Sequence, residues 1–252
     1  MKIIKLGGSV ITDKAGYRTP KPDQIRKLAK AMAGIWRKNR DIILVHGAGS
    51  FGHALVLKHA IGAGVKNTAQ KLGFADTHAA CSELSLILVE ELILQGVPAV
   101  SIPPALIMTL KARRISSFNA KIVNDYFQSG YLPVLYGDMV PDSELGASPC
   151  SGDQIVSYLG KQAEMVVLAT DVDGVLDAKG QIITQITSAN FPKVSKDITD
   201  KSGGKDVTGA MAGKIKELLT MDTPSYIVNA SNPERIEALL DGKKTICTEI
   251  RK

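Results

Sequence analysis

Two rhythms alternate along this chain. Short apolar-rich runs at 3–6, 42–45, 97–102, 132–136, 165–169 and 225–229 have strand length, and 165–169 reads as a buried strand. Between them, apolar positions fall three and four apart. Ile25, Leu28, Ala29, Met32 and Ile35 follow the loop Thr19-Pro20-Lys21-Pro22-Asp23 at helical spacing. A long helix is expected over 68–95, with Leu72, Ala75, Ala79, Leu86, Val89 and Ile93 facing inward, stopped by Gly96 with Pro98 just beyond. Further helices are expected at 119–128, from Ser151 onward, along the face Met211, Ile215, Leu218 and Leu219, and at 233–240, with a closing edge strand at 245–250. Strand, loop, helix at the start is the opening of a βαβ unit in an α/β fold. No internal repeat or interdomain linker interrupts the order.

Several of the strands run into glycines. Residues 1–14 read M-K-I-I-K-L-G-G-S-V-I-T-D-K, in which Gly7, Gly8 and Ser9 let backbone N–H groups approach an anion, with Lys5 before them and Lys14 beyond. The second strand ends in H-G-A-G-S-F-G-H, residues 46–53, a second loop of the same kind. That loop also fits the dinucleotide-binding pattern G-x-G-x-x-G, but the fingerprint belongs on the first strand, and Asp76 is a poor match for the acidic residue about twenty positions on. Ser151-Gly152-Asp153 opens a helix with ordinary capping residues, and Asp153 is also a carboxylate able to fix lysines by charge-assisted bonds. Near the end, 203–209 leads a glycine-rich approach into a helix start, which favours phosphate; 209–214 falls one residue short of a Walker A loop, and Ile215 stands where Ser or Thr must hold Mg²⁺. The run T-D-V-D-G-V-L at 170–176 resembles the nucleophile motif of haloacid-dehalogenase phosphatases. Its position deep in the chain and the lack of a G-D-x-x-x-D arrangement among Asp197, Asp200, Asp206 and Asp222 weigh against that chemistry.

Composition narrows the class. With 44% hydrophobic and 22% charged residues and no low-complexity tract, the chain reads as a soluble globular protein. No apolar run reaches bilayer length and no signal-peptide core follows Met1, so a cytoplasmic protein without a membrane is expected. Cys81, Cys150 and Cys247 match no zinc or disulfide spacing and read as structural. The net charge of +6 comes from scattered lysines without interleaved aromatics, which makes nucleic acid the weaker partner and suits a site that gathers several phosphates.

Taken in order, K-L-G-G-S, H-G-A-G-S-F-G-H, S-G-D, T-D-V-D-G-V and D-V-T-G-A-M-A-G-K resemble the amino acid kinase superfamily over essentially the whole chain. Residues 46–53, with the T-D-K that places Lys14, are similar to the branch that phosphorylates a small prenyl phosphate, isopentenyl phosphate. The resemblance implies one three-layer α/β/α sandwich with a mainly parallel central sheet over 1–252, an acceptor half at roughly 1–150, a nucleotide half at roughly 151–252, and a homodimer. It implies ATP and Mg²⁺, with no metal held by the protein itself. Lys5, Gly7, Gly8 and Ser9 would cover the ATP phosphates, and Lys14 would stabilise the transition state. Ala48 and Gly49 would lie between acceptor and nucleotide, His53 would bind the acceptor phosphate, and Gly137 would line the acceptor side. Asp153 would position Lys5 and Lys214, while Asp171, Gly209 and Lys214 would serve the nucleotide. Ala210 departs from the pattern, since a second glycine is usual after Thr208-Gly209.

The residues alone account for much of such a reaction. Each pair of unit charges at 4 Å repels by about 4 kcal/mol at an effective dielectric of 20, so a phosphate acceptor beside ATP needs the lysines and glycine loops to offset that repulsion. A phosphate acceptor has a second pKa near ~6 and needs no general base. The same holds for a phosphonate such as fosfomycin or for an acylamino acid. His53 and the small residues early in 68–95 favour the prenyl phosphate, and retention of Lys5, Lys14, Lys214 and Asp153 favours an enzyme over a non-catalytic nucleotide-binding protein.

Overall fold

The computed structural model describes residues 1–198 and 210–252. Its central feature is the strand Lys2–Leu6, which pairs in parallel with Ile42–His46 on one side and Met165–Thr170 on the other, so that Ile4 lies between Leu44 and Val167. Among the described residues, eight strands make up this sheet, in the order Gln185–Thr187, Thr248–Arg251, Ser225–Asn229, Met165–Thr170, Lys2–Leu6, Ile42–His46, Leu132–Tyr136 and Ala99–Ser101. The sheet is parallel except where Thr248–Arg251 meets Ser225–Asn229 in antiparallel fashion. The expected closing strand is therefore not an edge. Gln185–Thr187 lies outside it, with Ile186 as its one apolar residue, too little for a visible strand pattern.

Alternation along the strands explains why they read as unbroken apolar runs. Ile4, Leu6, Leu44, Val134, Val167 and Ala169 belong to one core, and Ile3, Ile43, Val45, Leu135, Val166 and Leu168 to the other. Helices Pro22–Lys38, Thr68–Leu94 and Glu234–Leu240 cover the first face, and Ala120–Gln128, Gly152–Gly160 and Ala210–Leu218 the second. This is the three-layer α/β/α sandwich. Truncating a fully buried member such as Ile4 to Ala costs about 2–5 kcal/mol by lost burial and the cavity left behind.

A second sheet, in the order Arg114–Phe118, Met108–Lys111, Asp138–Asp142, Gly146–Cys150, was not legible in the sequence. Its hairpin turns at Ala112 and Arg113, with φ of +47° and +69°, where glycine or asparagine would ordinarily announce the turn. Asp142 supports the strained turn by accepting from the amides of Ala112 at 3.2 Å and Arg113 at 2.8 Å.

The long helix is Thr68–Leu94, capped by Asn67, whose side chain accepts from the Gln70 amide at 2.9 Å. Its inward face is Gly73, Thr77, Ala80, Cys81, Leu84, Ser85, Leu88, Val89 and Leu92. Of the residues expected inside, only Val89 is buried; Leu72, Leu86 and Ile93 are 69%, 52% and 54% exposed. The helix carries apolar residues on more than one side, so periodicity could not choose the face. Packing chose the small residues, because a Cβ on Gly73 would stand 2.4 Å from Cβ of His59.

Candidate active site

Both glycine loops lie at carboxyl ends of neighbouring strands, where open α/β sheets hold ligands. The first turns at Gly7 into a short helix, Gly8–Ile11, and the second runs through Gly47 and Ala48 into Gly49–Lys58. The loops stack backbone on backbone. A Cβ on Gly8 would stand 2.5 Å from the Gly49 nitrogen, and one on Gly47 would stand 2.6 Å from the Gly8 nitrogen. Gly49 adopts φ +51°, and a Cβ there would strike Oγ1 of Thr12 at 2.0 Å. Gly137 joins the same cluster, its nitrogen donating to the His46 carbonyl at 3.0 Å, and a Cβ there would stand 3.3 Å from the Gly152 nitrogen and 3.4 Å from the Ala48 nitrogen. Gly7, Gly8, Ser9, Ala48, Gly49 and Gly137 are thus brought together, and the first demand on the glycines is close packing of the loops.

Alternation along Lys2–Leu6 turns Lys5 toward the helix Gly152–Gly160. There its Nζ meets Oδ1 of Asp153 at 2.6 Å, while Nζ of Lys214 lies 3.7 Å from Oδ2. Ser151 caps the helix by accepting from the Gln154 amide at 3.2 Å, which leaves the Asp153 carboxylate to the lysines. Burial works to raise the Asp153 carboxyl, but Lys5 and Lys214 outweigh it and hold it below the usual range. For Lys214 burial wins and the pKa is lowered, despite Asp153, with Lys5 and Lys14 adding to the effect.

His53 does not cap its helix. The helix begins at Gly49, so His53 falls in the second turn, because Gly52 packs against Ala48 and Cys81 as a helical residue. Solvent reaches the ring, yet desolvation by its surroundings lowers its pKa, and Lys214 and Lys5 lower it further, which keeps the imidazole neutral at neutral pH. Lys14 stands apart from the core, 73% exposed, with Nζ 3.4 Å from Oδ2 of Asp171 just past the strand Met165–Thr170. Gly209 and the glycine-rich approach at 203–209 lie outside the described residues.

The amino acid kinase family profile matches residues 1–229. The chain belongs to the amino acid kinase family. It is 34% identical to the isopentenyl phosphate kinase of Methanothermobacter thermautotrophicus over 99% of this chain and 98% of that one. It is 30% identical to the isopentenyl phosphate kinase of Thermoplasma acidophilum over 94% of each chain. A solved isopentenyl phosphate kinase structure superposes with a TM-score of 0.84 at 32% identity, covering 99% of both chains.

In this member of the amino acid kinase family, the D-x-D segment that suggested a phosphatase is otherwise engaged. Asp171 faces Lys14, and Asp173 takes Arg235 and, at 3.2 Å, the Asn229 amide. Sequence reasoning missed three residues that shape the site. Thr12 links the glycine loops, its hydroxyl donating to the Gly8 carbonyl at 2.8 Å and accepting from the Ser50 amide at 3.0 Å. Lys21 donates to the Ser9 carbonyl at 2.9 Å. His46 is fully buried, stacked on Tyr136 with ring centroids 5.3 Å apart, and burial lowers its pKa to about 4, so it packs as a neutral ring beneath the second loop. The only sequence signal for Thr12 was its place between the glycines and Lys14, and that for His46 its place at the head of H-G-A-G-S-F-G-H, neither of which pointed to these contacts; Lys21 had none.

Proposed function

We propose that this chain transfers the γ-phosphoryl group of ATP to the phosphate of isopentenyl phosphate, giving isopentenyl diphosphate for isoprenoid synthesis. The observation that carries this reading is Asp153 held between Lys5 and Lys214 with His53 facing the same cluster, in a chain that aligns end to end with isopentenyl phosphate kinases. Lys5 and Lys214 offset charge on the phosphates of the nucleotide, and Asp153 keeps their ammonium groups in place. Lys14 reaches the transferring group, where a cation acts mainly in the transition state. His53 donates its N–H to an oxygen of the acceptor phosphate, whose second pKa near ~6 leaves an anionic nucleophile without any base. Ser9, Gly7 and Gly8 lie over the nucleotide phosphates, Ala48 and Gly49 separate donor from acceptor, and Gly137 borders the acceptor. The acceptor belongs to the half at 1–150; Asp171 and Gly209 serve the nucleotide in the half at 151–252.

Mg²⁺ enters this reading on the nucleotide. Among the described residues no group of three His, Cys, Asp or Glu side chains could hold a metal, and Asp171 is paired with Lys14, a donor set that fits an ion carried by phosphate oxygens. When bound, it neutralises charge on the β- and γ-phosphates.

The homodimer belongs to the same reading. Leu72, Ala75, Ala79, Leu86 and Ile93 lie on the outer side of Thr68–Leu94 at steps of three, four and seven, an apolar seam suited to a second copy of the helix. A cytoplasmic location suits Cys81 and Cys150, which are buried and unpaired. Among the described residues no helix is long and apolar enough to cross a membrane. The test is ADP release with Mg-ATP and, separately, isopentenyl phosphate, dimethylallyl phosphate, fosfomycin or acetylglutamate. Isopentenyl phosphate is expected to have the highest kcat/KM; preference for acetylglutamate or fosfomycin would overturn the acceptor.

A further inference from the structure

Of the three lysines at the site, Lys14 is held least by its described surroundings. Lys5 is buried in the sheet and Lys214 lies on a helix, whereas Lys14 rides on a hairpin closed by the Thr12–Pro20 bridge and, among the described residues, its ammonium pairs with Asp171 alone, at 3.4 Å. The base of the hairpin is fixed. The Asp13 amide donates to the Thr19 carbonyl at 2.9 Å, and the Thr19 amide donates to Oγ of Ser50 at 3.2 Å. A four-carbon side chain on so short a support still needs the returning arm of the hairpin to be held.

The returning arm, across from Lys14, is held by residues that take no part in the proposed chemistry. Arg18 places Nη1 3.5 Å from Oδ1 of Asp76 and pairs through Nη2 with Glu83, both on Thr68–Leu94 and seven residues apart, hence on one face. Asp76 is itself fixed by Nε2 of His59 at 2.9 Å. Beside it, Nζ of Lys58 donates to the Tyr17 hydroxyl at 3.1 Å and lies 5.1 Å over its ring. Arg18 adopts φ +48°, a left-handed conformation unfavourable for a residue with a Cβ, which persists only where the surroundings impose it. An isolated exposed ion pair would not suffice, but Arg18 is only about a third exposed and meets two carboxylates at once.

We infer that Arg18, clamped by Asp76 and Glu83, is a positioning residue for Lys14, fixing the hairpin so that the ammonium stands over the cluster of Lys5, Asp153 and Lys214. The inference rests on the proposed role of Lys14 in phosphoryl transfer. A displacement of about 1 Å at such a group lowers rates by as much as about 100-fold. The clamp therefore acts on turnover and not on ground-state binding.

The experiment is a double-mutant cycle on the full chain with isopentenyl phosphate and Mg-ATP. Arg18→Ala is expected to lower kcat about 10-fold or more with both KM values within about two-fold. Placed on Lys14→Ala, the same substitution should change kcat less than about two-fold, because the group it positions is gone. Glu83→Gln combined with Asp76→Asn should reproduce Arg18→Ala, and serves in its place if Arg18→Ala does not fold. Equal losses in both backgrounds, or an unchanged kcat for Arg18→Ala, would overturn the clamp alone. Wild-type kcat for Lys14→Ala would remove the role of Lys14 and the clamp with it, and failure of the unmodified chain to phosphorylate isopentenyl phosphate would remove the proposed function first.

Discussion

Asp153 offers one carboxylate oxygen to each of two lysines, Lys5 at 2.6 Å and Lys214 at 3.7 Å. Asp153→Asn removes the charge that compensates both ammonium groups. A displacement of about 1 Å at such groups lowers rates by as much as about 100-fold, so kcat/KM should fall by about two orders of magnitude. The pH profile separates positioning from mere structure. Asp153 holds up the pKa of Lys214 against burial, and in the proposed function Lys214 works as a cation, so activity should be lost as pH rises through that pKa. In Asp153→Asn the alkaline limb should move to lower pH; an unmoved limb would sink the pairing as a determinant of Lys214.

In the proposed function His53 carries the acceptor side. A hydrogen bond to a charged phosphate is worth roughly 1.5–3 kcal/mol, so His53→Ala should weaken use of isopentenyl phosphate by about one to two orders of magnitude while leaving ATP dependence nearly untouched. His53→Gln keeps a donor and should recover part of the loss. Wild-type acceptor kinetics in a folded His53→Ala protein would make the ring structural.

Much of this site was legible because its residues sit where local rules place them. Lys5 lies one residue from a strand end, Asp153 in the first turn of a helix, and the glycines after strands; those positions are readable from spacing alone. The reason for the glycines was not, since only the folded chain shows Gly8 against Gly49. Nor could a single sequence show which side of Thr68–Leu94 faces the core, because Leu72 and Leu86 are as apolar as Leu84 and Leu88. The Arg18 clamp joins residues 58 and 65 positions apart, beyond the reach of any periodicity.

Asp142 gives a prediction about stability. Burial raises its carboxyl, but the Arg113 amide, the Ser148 hydroxyl and the amides of Glu144 and Leu145 more than reverse this and bring the pKa down to about 2. A depressed carboxyl contributes stability above its ordinary pKa near 3.8 and loses it as pH falls through about 2. The contribution is about 2 kcal/mol at neutral pH. In urea unfolding, the stability gap between wild type and Asp142→Asn should narrow between pH 4 and pH 2; a gap independent of pH would contradict the assignment.

Leu86 lies mid-way along the exposed apolar seam of Thr68–Leu94. Leu86→Glu buries a charge in any pairing through that face, and light scattering should report a monomer where the unmodified chain is a dimer, with circular dichroism unchanged. A dimer that survives the substitution, or a monomeric wild type, would remove this interface.

Phosphoryl transfer onto a phosphate is the central claim, and phosphorus NMR of the product tests it most directly. With Mg-ATP and isopentenyl phosphate, two mutually coupled resonances of a diphosphate ester should grow as the monoester signal falls, and Lys14→Ala should slow their growth far more than it weakens ATP binding. Release of inorganic phosphate from the monoester without ATP, with no diphosphate formed, would contradict the account.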